Sequence, residues 1–243
     1  MKQKFLIVAL FGLLSGCASQ AQLNSNLGKI LGGIENSGGP VSENEVVRGL
    51  KEALTVGIGN GSAEASKVDG YFKNELIKIV IPPEAQKVAE TLRKMGLGAE
   101  VDKFTLSLNR AAEDAAKKSK PIFVKAITSM NITDALGILK GQDDAATQYL
   151  KRTTNKALFD TFFPVVDSTL NLNKATQYYG DLVNTYNQIP LVKKVNPNLK
   201  EYATQKTIDG LYILIAQEEK KIRKDPVARV SDLLKRVFSQ TGK

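Results

Sequence analysis

The 243-residue chain contains no histidine, no tryptophan and a single cysteine, Cys17. Each absence removes a class of chemistry. Without imidazole there is no Ser-His-Asp or Cys-His proton relay, and zinc sites of the usual kind lose their ligands. With one cysteine the chain cannot close a disulfide within itself. Acid–base work is left to carboxylate, lysine or tyrosine, and metal binding to an all-oxygen site of the calcium or magnesium kind. No EF-hand-like spacing of Asp, Asn and Gly occurs, and no phosphate-binding loop of the G-x-x-x-x-G-K-[ST] form. The glycine-rich run Gly57-Ile58-Gly59-Asn60-Gly61 lacks the preceding strand that a dinucleotide site requires and reads as a helix end. No cofactor and no metal are expected.

Long apolar runs are scarce as well. Phe5 to Leu14 is continuous, but it is about half the roughly 20 residues a spanning helix needs. Lys2 and Lys4 precede it, and Leu14-Ser15-Gly16-Cys17 follows, with small residues placed for signal-peptidase cleavage. This is the pattern of a lipobox. Residues 1–16 are therefore expected to be a cleaved signal peptide, with acyl chains such as palmitate on Cys17. Two or more acyl chains anchor a protein stably, because each buried methylene contributes about 0.8 kcal/mol. Ala18 rather than Asp stands second in the mature chain, which favours a periplasm-facing position at the outer membrane. An ordinary secretory signal with a coincidental cysteine is the alternative.

Loss of residues 1–16 would remove two of the 34 basic residues and none of the 25 acidic ones, leaving +7. From Leu191 onward there are twelve Lys or Arg against six Asp or Glu, so the surplus is concentrated late in the sequence. A basic face attracts polyanions. In the envelope these are phospholipid head groups, anionic cell-wall polymers and acidic partner proteins, and not nucleic acid. Plain solvation of exposed helix faces accounts for the same residues.

Residues 17–41 form a glycine-interrupted, lipidated tether. Ser42-x-x-Glu45 is a capping box ahead of Val46, Val47, Leu50, Leu54 and Ile58, so the folded domain is placed at residues 42–243. Pro83 opens a helix carrying Val88, Ala89, Leu92 and Met95, and Gly96 stops it. Val101, Phe104, Leu108, Ala111, Ala112 and Ala115 make the next stripe, and Pro121 resets the chain. Thr133-Asp134 caps a short helix ending at Gly141. A longer helix from about Asp143 buries Leu150, Thr154, Ala157, Leu158 and Phe162 before Pro164. Another spans about 173–188. Asn198 caps the longest helix, which runs to about Lys224, and Asp225-Pro226 opens the last. Ile77 to Ile81 alone looks strand-like, too short for a sheet. The fold class is all-α, a single bundle of about eight to ten helices.

Several blocks in order carry a resemblance: Asn109-Arg110-Ala111-Ala112-Glu113, Ile132-Thr133-Asp134-Ala135, Ile138-Leu139-Lys140-Gly141, Ala145-Ala146-Thr147, Asp209-Gly210-Leu211, and Glu218-Glu219-x-x-Ile222-Arg223-x-Asp225-Pro226. From about Val46 to Phe238 the chain resembles an uncharacterised bacterial lipoprotein family, domain of unknown function 4197. The resemblance implies an all-helical, envelope-facing lipoprotein. It supplies no activity and no catalytic residue.

Charges on apolar stripes mark the candidate site. Glu218 has Leu214 and Ile215 one turn before it and Ile222 one turn after, and Arg110 follows Leu106 with Glu113 one turn beyond. Buried charges cost several kcal/mol unless paired, so one internal network is expected to join Arg110, Glu113, Glu218 and Arg223 or Arg229. With Asn109, Asp134 and Asp209 these residues make either a helix-locking ion-pair cluster or a polar cavity for a small ligand. Gly210 costs about 1 kcal/mol in a helix interior relative to Ala, which signals a close neighbour. Tyr178, Tyr179, Tyr186, Tyr202 and Tyr212 either fill the core or line a groove. The expected function is a non-catalytic ligand-binding or scaffolding lipoprotein. The alternative is a carboxylate-dependent hydrolase of cell-wall glycan using Glu113, Asp134 or Glu218, which needs two carboxyls about 5–9.5 Å apart in an open cleft.

Overall fold

A computed structural model describes residues 42–241 except 95, 173, 174, 189, 192, 193, 196, 197 and 230. The signal, Cys17 and the tether lie outside the described residues, as do the side chains of Tyr178 and Tyr186. Val41–Lys243 forms one compact unit. Its described helices are α1 (Glu43–Ser66), α2 (Gln86–Lys94), α3 (Gly98–Ala116), α4 (Ser119–Thr128), α5 (Ile132–Lys140), α6 (Ala145–Leu172), α7 (Ala175–Asn187), α8 (Leu199–Lys224) and α9 (Asp232–Thr241). Short 3-10 turns at Pro83–Ala85 and Pro226–Ala228 complete the set, and no strand occurs among the described residues. The domain is all-α.

The start of α1 is fixed by its sequence. Glu45 N–H donates to Ser42 Oγ at 3.3 Å, and Ser42 N–H donates to Glu45 Oε2 at 2.9 Å, so two backbone donors are satisfied reciprocally. At the end of α2, Gly96 takes φ +83°, with Gly96 N–H on Arg93 O and Leu97 N–H on Leu92 O. That pair of bonds closes a Schellman turn, whose left-handed residue is cheapest as glycine.

α8 packs against both α1 and α6, and α3 packs on α6 while also touching α8 and α1. The contacts between α1 and α8 run antiparallel: Gly57 faces Ile222 and Glu218, while Gly61 faces Ile215. These glycines therefore sit inside a continuous helix, not at a helix end, facing α8 at a distance where a Cβ would make ordinary contact. On α8, Gly210 is required by a close neighbour. A Cβ there would fall 2.7 Å from Tyr71 Cε1 and 3.1 Å from Ile77 Cβ. Leu108, Phe123, Leu150, Leu158, Phe162 and Leu211 are fully buried between these helices. Each such side chain stabilises the fold by about 1.5–3 kcal/mol relative to leaving it in water.

Local reading fails where a neighbour or solvent overrides it. α6 passes through Pro164 instead of stopping before it, and at 28 residues it exceeds the 26 of α8. Pro164 is exposed, so the carbonyl it leaves unbonded reaches water, while Phe162, Val166 and Leu170 hold the opposite face in the core. Ala157 proves exposed for the same geometric reason. The cap of α5 is Asn131, whose side chain accepts from Asp134 N–H at 2.7 Å, and not Thr133-Asp134. α6 begins at Ala145 rather than Asp143, and a carboxylate from another helix explains why.

Candidate functional site: two buried braces

The expected single network is two, with no partner in common. The first lies where α3 meets the connection after α1. Glu113 Oε1 accepts from the backbone N–H groups of Tyr71 and Phe72 at 3.2 and 3.3 Å, and Oε2 accepts from Arg110 Nη1 at 2.6 Å. Arg110 Nη2 donates to Asp69 Oδ1 at 2.7 Å. Asp69 sits at φ 66° in the left-handed region, and Lys73 and Arg110 hold its carboxyl below the usual carboxylate range. Gly70 follows because a Cβ there would stand 2.3 Å from Glu64 O. One turn back on α3, Asn109 grips Ile79 at both ends: its Oδ1 accepts from Ile79 N–H and its Nδ2 donates to Ile79 O, each at 2.8 Å. These side chains do for residues 67–82 what a neighbouring strand would do, satisfying a backbone that has no regular structure of its own.

The second brace ties three helix ends. Glu219, with 4% of its side chain exposed, points from α8 at the start of α6. Its Oε1 accepts from Ala146 N–H at 2.9 Å, and its Oε2 accepts from Thr147 N–H at 2.9 Å and Thr147 Oγ1 at 2.8 Å. Arg223, one turn further along α8, donates to Glu219 Oε1 at 2.8 Å and to Ile138 O of α5 at 2.8 Å. A carboxylate thus meets the electropositive start of one helix, and a guanidinium meets the electronegative end of another. Arg229 donates to Ile222 O and Arg223 O and finishes α8 itself.

Glu218 is the correction this geometry forces. It is only partly buried, accepting from Asn60 Nδ2 at 2.9 Å and Lys221 Nζ at 2.7 Å. Helical period alone allows either residue 218 or 219, and the position of the α6 N-terminus selects 219. Asp134 and Asp209 join neither brace. Asp209 accepts from Gln205 on its own helix, and Asp134 lies near Tyr149. Glu219, Asp69, and the backbone of Tyr71 and Phe72 were not singled out by the sequence. The Glu218-Glu219 pair next to an apolar stripe was the available signal for the first of them.

The charge distribution also changes. The late cations find acids: Lys200 pairs with Asp167, Lys221 with Glu218, Lys224 with Asp143, Lys235 with Asp232 and Arg236 with Glu45. Asp143, Asp167 and Glu45, from outside the late segment, offset three of its six surplus positive charges, while Glu218 and Asp232 are acids of that segment itself.

Glu113 is buried with both oxygens engaged, and a void of about 10 Å³ beside Glu219 and Arg223 is at the lower limit for one water. No sugar ring fits there. Among the described residues no group of three His, Cys, Asp or Glu side chains is placed to hold a metal. Among the described tyrosines, Tyr71, Tyr149, Tyr179 and Tyr212 belong to the core and Tyr202 is partly buried. Tyr71 is wholly buried and donates to Thr207 O at 2.6 Å, and Tyr212 meets Thr154 Oγ1 at 2.9 Å. Burial pushes the phenols of Tyr179 and Tyr212 up to about 12 from 10.0, and Tyr71 higher still. A raised phenol pKa contributes stability that is complete below the unfolded value of about 10 and is lost as pH rises through the folded value. The domain is therefore expected to unfold cooperatively above about pH 10, with tyrosinate absorbance appearing together with loss of helical circular dichroism. Gradual ionisation of these phenols with helicity intact would contradict the packing.

An all-α domain braced from within by paired carboxylates and guanidinia is the class of protein this defines. A family model described as protein of unknown function (DUF4197) matches residues 40–239, and the chain belongs to that family. No curated protein and no solved structure matches the chain.

Proposed function

We propose that the chain is an envelope lipoprotein whose helical domain is a non-catalytic binding or scaffolding module facing the periplasm, held at the outer membrane by acyl chains on Cys17. The observation that supports the non-catalytic part is the saturation of its buried carboxylates. Glu113 and Glu219 each spend both oxygens on backbone donors and an arginine. A general acid or base needs a lone pair or proton within reach of substrate, and these carboxylates are buried and committed to backbone amides and an arginine. The address rests on Leu14-Ser15-Gly16-Cys17. No single described helix is long and apolar enough to cross a membrane. The test is Cys17→Ala in cells: the protein is expected to lose acyl labelling and to leave the membrane fraction. Retention in that fraction without acylation would overturn the anchoring.

A further inference from the structure

Apart from the late cations that pair with acids, positive charges gather around α4. Every charged residue of α4 is a lysine, and Lys118 stands at its N-terminal boundary. Lys118, Lys120 and Lys125 are exposed, and no carboxylate of the described residues lies within ion-pair distance of them. Two further cations are fixed against the same helix. Lys51 reaches over from α1 to donate to Thr128 O at 3.0 Å. Arg152, on α6, stacks 5.6 Å from the ring of Tyr149, whose hydroxyl donates to Ala126 O of α4 at 3.4 Å. Two acids stand at its edges: Asp134 is felt at Tyr149, and Asp114 is taken up by Lys117 at 2.8 Å, next to Lys118.

We infer that this face of α4, with Lys51 and Arg152 at its flanks, is the surface that docks on an anionic phospholipid bilayer. Charge complementarity is the first argument. Five cations spread across one helix and its two neighbours leave their counter-ions to be supplied from outside, and juxtamembrane cations contribute about fivefold each to binding an anionic lipid surface. Shape is the second. Lys118 and Lys125 stand two turns apart on one exposed ridge of α4 and Lys120 stands further round the helix, so the charges spread over a convex surface and not a groove or a cleft, which suits an extended charged plane better than a small ligand. The third is reach. Cys17 to Val41 is 25 residues, which extend at most about 85 Å, so the attachment point does not dictate which side of the domain meets the membrane. This inference deepens the lipoprotein reading and depends on it for biological relevance, but it is tested without the lipid.

The mature chain from residue 17 carrying Cys17→Ser, which cannot be acylated, is mixed with phosphatidylglycerol-rich vesicles and with vesicles of phosphatidylcholine alone, and the bound fraction is measured by co-sedimentation. Binding is expected on the anionic vesicles only, and it should fall steeply with salt, since exposed charges are screened. The K118Q/K120Q/K125Q/R152Q variant is expected to bind at least about a hundredfold more weakly. K118R/K120R/K125R should bind as the parent does, which separates charge from folding. Removing the same number of charges elsewhere, as K94Q/K194Q/K206Q/K220Q, should leave binding within about threefold, because those residues lie away from α4. Absence of binding by the parent, equal losses in the two Gln variants, or equal binding to the phosphatidylcholine vesicles would each overturn the inference. Any of these could occur while the Cys17→Ala result stands, so the two failures are distinguishable.

Discussion

Glu219→Ala is expected to lower the unfolding free energy by about 3–5 kcal/mol, which is the range for breaking a buried ion pair by removing one partner. Three losses combine in it. Arg223, with 13% of its side chain exposed, keeps two carbonyl acceptors on α5 but loses its counter-charge. Ala146 and Thr147 lose the acceptor for two buried N–H groups at the start of α6, and Thr147 Oγ1 loses its partner too. Urea denaturation with an unchanged slope would read the loss directly. The double variant Glu219→Ala/Arg223→Ala should cost clearly less than the sum of the two single changes, because each alone strands the other's charge. A loss below about 1 kcal/mol for Glu219→Ala would mean that water replaces the carboxylate and that the brace is not structural.

Glu113→Ala is expected to cost about 3 kcal/mol, and its effect should be local before it is global. The backbone N–H groups of Tyr71 and Phe72 lose their acceptor, and a buried unsatisfied donor costs about 1–3 kcal/mol. Arg110 is less affected, because a third of it is exposed and Asp69 still holds it. Glu113→Gln keeps an acceptor oxygen for the two amides and should recover most of the loss. Hydrogen exchange makes the local claim checkable: amides of residues 71–79 should lose protection in Glu113→Ala before those of α6 do. Uniform loss of protection across the domain would show that this connection has no stability of its own to lose.

The helices themselves were legible because the information for them is local. Ser42 with Glu45 begins α1, Gly96 ends α2, Asn198 caps α8, and the stripe from Val101 to Ala115 faces the core as its spacing demands. The residues at the candidate site were only partly legible. Arg110, Glu113 and Asn109 stand on α3 at spacings that already bring them together, and the structure keeps them together. Glu218 and Glu219 are adjacent, and the choice between them depends on where an unconnected helix starts. The same holds for Gly57-Ile58-Gly59-Asn60-Gly61, which looks like a break until α8 is laid against it, and for the late cations Lys200, Lys224 and Arg236, whose acids are Asp167, Asp143 and Glu45.

The amino-acid order by itself determined an all-α domain of amphipathic helices, the absence of imidazole and of any second thiol, and the need to neutralise charges set among aliphatic side chains. Tertiary structure alone decided which carboxylate is sealed in, which backbone amides receive it, and which cations are left facing water around α4. The physical reason is one of range. Helix formation and capping act within about four residues along the chain. Desolvation and ion pairing depend on distances in space, and those exist only once α1, α5, α6 and α8 have packed together.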